Sequence, residues 1–168
     1  GYKNATDGDI DVAINAIKAA IAPHSFIGID MDGKTCVIRT TGNSDGHVVL
    51  RGGRSGANFD PTSLQRVAKK LADAGLCQSI TVDCSHDNSG KIARNQELVC
   101  KMVIAERTAG YDTITGIMLE GNINEGSQPI CKDLSKLLYG VSITDECMGW
   151  EQTEALLRWV HTKLGQTA

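Results

Sequence analysis

The sequence has few aromatic residues, no long apolar run and no N-terminal targeting pattern. Phe, Trp and Tyr account for 4% of the 168 residues, and there are three prolines. A membrane-spanning helix needs about 18 or more predominantly apolar residues, and no segment approaches that length. The N-terminus shows no basic region followed by an apolar one and a cleavage motif. We therefore expect no membrane partner and no secretory signal.

The sequence also lacks a basic cluster and any pair of cysteines at CxxC spacing. Lys and Arg number 17 against 20 Asp and Glu, which gives a formal net charge of −3. Nucleic-acid-binding domains carry a basic patch, so nucleic acid is an unexpected partner here. The six cysteines are scattered, several of them in apolar runs. They predict reduced, mostly buried thiols in a cytoplasmic protein rather than disulfides or a structural zinc site.

Small aliphatic residues are plentiful by contrast. Apolar residues make up 41% of the chain, and 18 residues are glycine. This composition is typical of an α/β protein, in which small residues lie where helices pack on a sheet. The length suits one domain or part of a larger one. The chain begins at Gly1 without methionine, and we interpret it as a processed or excised piece.

Local patterns predict four helices. Apolar residues recur at helical spacing between Asp9 and Pro23, and Asp60-Pro61 is a strong helix start. The predicted helices span about residues 10–22, 61–74, 91–108 and 150–164. The residues expected to face inward in the last two helices are Leu98, Val99, Met102, Val103, Leu156, Leu157, Val160 and Leu164.

Short β-branched segments predict strands between these helices. The predicted strands span residues 1–4, 26–29, 35–38, 47–50, 79–83 and 113–119. Asp32-Gly33 is a hairpin signal, so residues 24–46 are predicted to form a small antiparallel insertion. The other strand–loop–helix units predict parallel strands with right-handed crossovers. A (β/α)₈ barrel usually needs about 250 residues, so we expect a single partial domain, about half of a barrel. An open doubly wound sheet is the alternative, although no GxGxxG motif follows a strand.

Polar side chains follow three successive predicted strands. Arg51, His86 and Glu120 each lie just beyond the carboxyl end of a strand, and Asp145 lies in the loop after the last one. In a parallel sheet those ends form one face, with neighbouring strands about 4.8 Å apart. One histidine with two carboxylates suits Mn, Fe, Co or Zn. Each residue also has an ordinary alternative as a helix cap, a loop carboxylate or an ion-pair partner.

Arg51 and Lys3 are candidates for binding an anion at this face. A guanidinium makes bidentate contacts with oxyanions, and the following Gly52-Gly53 allows a backbone to approach closely. Lys3 ends the first predicted strand and adds a second cation. The pattern by itself predicts anion binding and metal-assisted chemistry on a barrel.

The motifs resemble those of 3-deoxy-D-arabino-heptulosonate 7-phosphate (DAHP) synthase, in its short-chain microbial and fungal class. The matching segments are Gly1-Tyr2-Lys3-Asn4 with Thr6-Asp7-Gly8, Leu50-Arg51-Gly52-Gly53, Asp83-Cys84-Ser85-His86 with Asn88-Ser89, Glu120, Asn122-Ile123-Asn124-Glu125-Gly126, and Gly140-Val141-Ser142-Ile143-Thr144-Asp145 with Gly149-Trp150-Glu151. They extend over essentially the whole chain in the family's order, and they resemble the C-terminal half of the family's (β/α)₈ barrel.

The resemblance implies the entry step of the shikimate pathway, in which phosphoenolpyruvate condenses with erythrose 4-phosphate. C3 of phosphoenolpyruvate attacks the sugar aldehyde, water adds at C2 and phosphate leaves. By the same resemblance His86, Glu120 and Asp145 bind a divalent metal ion that polarises the aldehyde. Lys3, Arg51 and His86 are implied to be catalytic, and Lys3, Arg51 and Asp145 to contact substrate.

The family's fourth metal ligand is a cysteine in its N-terminal half, and none of the six cysteines here occupies that motif. We therefore expect the isolated chain to have no turnover. Three residues also depart from the family pattern, namely Asp87, Gly121 and Ser127. Asp87 adds negative charge near a site for two phosphorylated substrates, unless it faces a helix N-terminus.

The predicted hairpin corresponds to the family's inhibitor-binding region. Phe26-Ile27-Gly28 resembles the tyrosine-sensitive branch, which implies that Phe26 and Gly28 bind tyrosine as a feedback inhibitor. The alternative is an ordinary hairpin with a glycine where space is tight.

Half a barrel exposes two sheet edges and apolar surface, so we expect a homo-oligomer or an N-terminal half as partner. Two other functions stay open. One is a non-catalytic half-barrel that binds or regulates a partner chain, and the other is a different aldolase-like barrel acting on other sugar phosphates.

Overall fold

A parallel sheet with helices packed on it forms the body of the protein. The computed structural model describes residues 1–166. The strands are β1 (Tyr2–Lys3), β2 (Ser25–Ile29), β3 (Thr35–Arg39), β4 (Val48–Leu50), β5 (Ile80–Asp83) and β6 (Ile114–Met118). The α-helices are α1 (Asp11–Ile21), α2 (Pro61–Asp73), α3 (Asn95–Thr108) and α4 (Trp150–Gly165). Short 3₁₀ segments span His86–Asn88 and Leu134–Lys136.

Four of the strands form one parallel sheet in the order β1-β4-β5-β6. Lys3 pairs with Val49, Leu50 with Val82, and Asp83 with Met118. This register brings the carboxyl ends of all four strands to one edge of the sheet. The predicted α/β class with parallel strands is confirmed.

The strands β2 and β3 form a separate antiparallel pair between α1 and β4. Their register runs from Ser25 opposite Arg39 to Ile29 opposite Thr35. At the turn, Gly33 adopts a φ of +80°, a backbone conformation that favours glycine over other residues. Asp30 closes the turn by accepting hydrogen bonds from the amides of Asp32 and Lys34.

Apolar residues of the central strands and of the inward helix faces form the core. Val48, Leu50, Ile80 and Val82 are fully buried. Helix α2 begins after Asp60, whose carboxylate accepts a hydrogen bond from the Ser63 amide at 3.0 Å, as the sequence predicts. Leu64, Val67 and Leu71 are the buried face of α2.

Helix α3 differs from the prediction in its start and in its buried face. It begins at Asn95 rather than Lys91, because Lys91 has a φ of +61° and cannot belong to a right-handed helix. Leu98 and Met102 are 62% and 49% exposed, so their predicted inward orientation is wrong. The buried face consists of Gln96, Val99, Cys100, Val103 and Ile104.

Two further expectations about burial were wrong in part. On α4, Leu156 and Val160 are buried, whereas Leu157 and Leu164 are exposed. Of the six cysteines, Cys84 and Cys100 are buried, and the other four are partly or fully exposed. All six are free thiols. Within residues 1–166, no helix is long and apolar enough to cross a membrane.

Candidate functional site

Three side chains from distant parts of the sequence meet beyond the carboxyl ends of β5 and β6. His86 Nε2 lies 3.4 Å from Glu120 Oε1 and 3.7 Å from Asp145 Oδ2. One ligand atom from each of the three residues lies within 4.8 Å of the other two. The structure thus brings together the three residues that the sequence singles out as metal ligands.

His86 begins the 3₁₀ segment that follows β5. Its φ of +52° is uncommon for a residue other than glycine, and such strain occurs often at functional sites. The Nδ1 atom lies 2.7 Å from Ser85 Oγ and 3.0 Å from Asp83 Oδ2. The imidazole is therefore held through contacts of Nδ1, whereas Nε2 faces the carboxylates of Glu120 and Asp145.

Glu120 is positioned by a buried glutamine that sequence reasoning missed. The side chain of Gln96 on α3 accepts a hydrogen bond from the Glu120 amide at 2.8 Å and donates one to the Glu120 carbonyl at 3.2 Å. Gln96 is almost fully buried. In the sequence, the only indication of this role is a glutamine among the apolar residues of the buried face of α3.

Asp145 reaches the site because the long segment after β6 folds back on itself. The Met148 amide donates to the Glu120 carbonyl at 3.0 Å, and the Asn122 amide donates to the Met148 carbonyl at 2.9 Å. An isolated antiparallel bridge joins Gly126 to Cys147. The Asp145 side chain is 68% exposed, so it lies at the open side of the site.

Lys3 lies beside this cluster and is paired with a buried carboxylate. Its Nζ atom lies 2.6 Å from Asp83 Oδ2, the same oxygen that faces His86. Burial raises the pKa of the Asp83 carboxyl, but hydrogen bonds from Lys3 and Ser85 outweigh burial and hold that pKa below its usual 3.8. Asp83 is therefore an anion at neutral pH.

Arg51 lies at the end of β4 with a guanidinium that is only partly satisfied. Its side chain is 15% exposed, and Nη1 lies 3.5 Å from Asp87 Oδ2. Nη1 is buried and makes no hydrogen bond within the described part of the chain. A buried donor without an acceptor is costly, so this group is suited to receiving an anionic ligand.

Three buried asparagines connect the carboxyl ends of the strands through hydrogen bonds. Asn4 accepts from the Arg51 amide at 2.9 Å and donates to the Gly52 carbonyl at 2.8 Å. The Asn58 side chain accepts a hydrogen bond from the Gly52 backbone amide, and the Asn58 backbone amide donates one to the Asn88 side chain. Asn88 in turn donates to the carbonyls that end β4 and β5. The sequence motifs include Asn4 and Asn88, but the role of Asn58 was missed.

The nitrogen and oxygen donors fit a divalent transition-metal ion. Two atoms that each bind one ion at about 2.0–2.2 Å lie no more than about 4.4 Å apart, and both contacts of His86 Nε2 satisfy this limit. The described residues that cluster as possible ligands are His86, Glu120 and Asp145, without a cysteine.

The two residues predicted to bind an inhibitor lie in the hairpin rather than with the metal-ligand cluster. Phe26 is opposite Ile38, and Gly28 is opposite Cys36. Phe26 lines an open groove of about 590 Å³ together with residues of α1 and of the segment after β3. A Cβ atom at Gly28 would overlap with Ile38 Cδ1, so there is little space for a side chain at this position.

Residues 1–158 match the model of the DAHP synthetase I family. The chain is 46% identical over 164 residues to the Tyr-sensitive phospho-2-dehydro-3-deoxyheptonate aldolase of Escherichia coli, covering 98% of this chain and 46% of that protein. It is 45% identical to the phenylalanine-inhibited enzyme of Saccharomyces cerevisiae, covering 94% of this chain and 44% of that one.

The structure is similar to that of phospho-2-dehydro-3-deoxyheptonate aldolase from Francisella tularensis. The TM-score is 0.91 at 37% sequence identity, and the match covers 99% of this chain and 48% of the other. The chain thus spans about half the length of each of these three relatives. The match of the family model over nearly the whole sequence shows that the chain belongs to the DAHP synthetase I family.

Proposed function

We propose that the protein containing this chain is a DAHP synthase, which condenses phosphoenolpyruvate with erythrose 4-phosphate and releases phosphate. The observation that carries the proposal is the convergence of His86, Glu120 and Asp145 beside Arg51 in a chain of this family. The relatives are named for the corresponding aldolase activity.

His86, Glu120 and Asp145 would hold a divalent metal ion such as Mn, Fe, Co or Zn. When bound, such an ion acts as a Lewis acid toward a carbonyl oxygen. The carboxylates supply negative charge, and the imidazole supplies a neutral nitrogen ligand. We propose that a cysteine outside this chain completes the ligand set.

Arg51 and Lys3 would bind the anionic groups of phosphoenolpyruvate. The buried Nη1 of Arg51 has an unused hydrogen-bond donor for a phosphate or carboxylate oxygen. Lys3 is anchored by Asp83 and keeps 37% of its side chain exposed, so its ammonium can contact substrate as well. Asp145 is the most exposed of the three metal-ligand candidates, which suits contact with the sugar phosphate.

The parallel sheet would be the C-terminal half of a (β/α)₈ barrel, in which residues 24–46 form an inserted hairpin. Two observations support this proposal. Among the described residues β1 and β6 are the open edges of the sheet. An apolar groove of about 560 Å³ lies beside β6, lined by residues of β6, α3 and α4. An N-terminal half of the same polypeptide would pair with both edges and cover this groove, and further copies would form a homo-oligomer.

Tyrosine is the proposed feedback inhibitor, bound at Phe26 and Gly28. The relatives in Escherichia coli and Saccharomyces cerevisiae are named as Tyr-sensitive and phenylalanine-inhibited, respectively. The absence of a side chain at Gly28 leaves Phe26 and Ile38 as the apolar pair on that face of the hairpin.

The proposed function is tested by removing one metal ligand in the full-length protein. We expect His86→Ala to lower DAHP formation at saturating Mn²⁺ by at least about 100-fold and to weaken Mn²⁺ binding measured by calorimetry. His161→Ala is the matched control, because His161 is exposed on α4, outside the site. Mn²⁺ binding without DAHP formation by the unmodified protein would contradict the proposal and support the non-catalytic alternative.

A further inference from the structure

We propose that Asp83 is a positioning residue that holds His86 as the Nδ1–H tautomer, so that Nε2 is free to bind a cation, while the same carboxylate anchors Lys3. The inference deepens the proposed function and rests on it for the identity of the ligand. It concerns a residue that is not itself among the three metal-ligand candidates.

Asp83 is the last residue of β5 and is completely buried. A buried carboxylate is stable only when its oxygens are paired. Oδ2 lies 2.6 Å from Lys3 Nζ and 3.0 Å from His86 Nδ1. Oδ1 accepts hydrogen bonds from the Ser85 amide at 3.0 Å and from Ser85 Oγ at 2.6 Å. The Asp83 carboxylate thus contacts three residues, namely Lys3, Ser85 and His86.

The hydrogen-bond pattern determines which imidazole nitrogen carries the proton. Ser85 Oγ donates its only hydrogen to Asp83, so it must act as acceptor in its 2.7 Å contact with His86 Nδ1. The Asp83 carboxylate is also solely an acceptor. Both oxygens near Nδ1 therefore require a proton on Nδ1.

The other ring nitrogen has poorer geometry for donating a hydrogen bond. Nε2 is 3.4 Å from Glu120 and 3.7 Å from Asp145, beyond the usual range of about 2.7–3.2 Å for an N–H donor. The short contacts at Nδ1 consequently favour the tautomer with a bare Nε2. A histidine oriented in this way by a carboxylate is a stronger and better aimed metal ligand.

Asparagine cannot replace this function. The Asp83→Asn side chain has nearly the same shape, but one of its two oxygens becomes an amide donor. That donor would face either Lys3 and His86 on one side or Ser85 on the other, and each side needs an acceptor. The substitution therefore disrupts either the contacts of Lys3 and His86 or those of Ser85, which itself contacts His86 Nδ1, without creating a cavity.

The first test is Mn²⁺ affinity in the full-length protein. We expect Asp83→Asn to weaken Mn²⁺ binding by about 10- to 100-fold, the usual effect of losing a carboxylate behind a metal-binding histidine. Lys3→Met should weaken phosphoenolpyruvate binding, because it removes an ammonium proposed to contact that anion. Asp73→Asn changes an exposed carboxylate on α2 and should leave both affinities unchanged. A folded Asp83→Asn protein with unchanged Mn²⁺ affinity would overturn the proposal.

The second test needs no variant at Asp83 and no metal. Nitrogen-15 NMR of the histidine-labelled protein at alkaline pH, with the His86 signals assigned through His86→Ala, should show a proton on Nδ1 and none on Nε2. A proton on Nε2 would refute the inference even if Asp83→Asn fails to fold. Correct tautomer with no Mn²⁺ binding by the unmodified protein would count against the proposed function alone.

Discussion

At the scale of single residues, Asp87 shows why the direction of a side chain matters more than its position in a motif. Asp87 directly follows His86, and a negative charge there is expected either to weaken anionic substrates or to stabilise a helix N-terminus. In the structure its carboxylate lies 3.5 Å from the Arg51 guanidinium. It therefore offsets the charge of the residue proposed to bind phosphoenolpyruvate.

This pairing predicts that Asp87→Asn tightens phosphoenolpyruvate binding. A partly exposed ion pair is worth about 0.2–1 kcal/mol, so we expect the dissociation constant to fall by about 1.5- to 5-fold. Calorimetry on the full-length protein measures the effect, with the exposed Asp73→Asn as control. Weaker binding would instead mean that Asp87 orients Arg51 for its ligand, which would contradict a competition between Asp87 and phosphoenolpyruvate for Arg51.

At the scale of elements, the start of α2 was predicted well and the start of α3 was not. Asp60 and Pro61 begin α2 as expected, with the Asp60 carboxylate bonded to the Ser63 amide. Helix α3 has no side-chain cap at Arg94, and turns over residues 89–94 separate it from the 3₁₀ segment His86–Asn88. Its start therefore depends on tertiary contacts of the site.

The cap of α2 predicts an acid-dependent stability. The hydrogen bond from Ser63 holds the pKa of Asp60 below its usual 3.8, although partial burial opposes this. Because the folded pKa is the lower one, the contribution is fully present above about pH 4 and is lost as the pH falls through the folded value. Asp60→Ala should lower the free energy of unfolding at pH 7 by about 0.5–2 kcal/mol in urea titrations.

Asp60→Asn separates the charge of this residue from its capping oxygen. Asparagine caps helices about as well as aspartate, so this variant should keep most of the stability at pH 7. Its stability should fall less steeply than that of the unmodified protein below pH 4. Equal acid dependence in the two proteins would show that the Asp60 charge does not contribute.

At the scale of the whole molecule, the proposed barrel would close over sides of the structure that are open among residues 1–166. The outer strands β1 and β6 each pair with one neighbour among the described residues. Leu98 and Met102, expected to face the core, are exposed on α3 instead. Apolar surface of this kind is commonly covered by another part of a protein.

Hydrogen exchange can measure whether these edges are closed in the full-length protein. We expect β6 amides that do not donate to β5 to exchange at least about tenfold more slowly in the full-length protein than in the isolated 168-residue chain. Amides between β4 and β5 serve as an internal control, because both strands lie inside the sheet in either case. Equally rapid exchange of the β6 amides in both proteins would contradict the shared barrel.

The sequence by itself determined the features that depend on local chemistry. The hairpin turn at Gly33, the cap of α2 and the order of polar residues at the strand ends follow from backbone preferences and periodicity. It also indicated His86, Glu120 and Asp145 as one group, since the ends of parallel strands lie at one edge of a sheet.

Only the tertiary structure decided how these residues are aimed and supported. Which face of α3 is buried depends on its neighbours, because the helix carries apolar residues on more than one side. Gln96 acquires its role from the backbone of Glu120, 24 positions away, and the Asn58 side chain donates to that of Asn4, 54 positions away. The bonding of Asp83 to Lys3, 80 positions away, exists only after the strands pair. Local patterns specify elements, whereas long-range hydrogen bonds and burial specify the site.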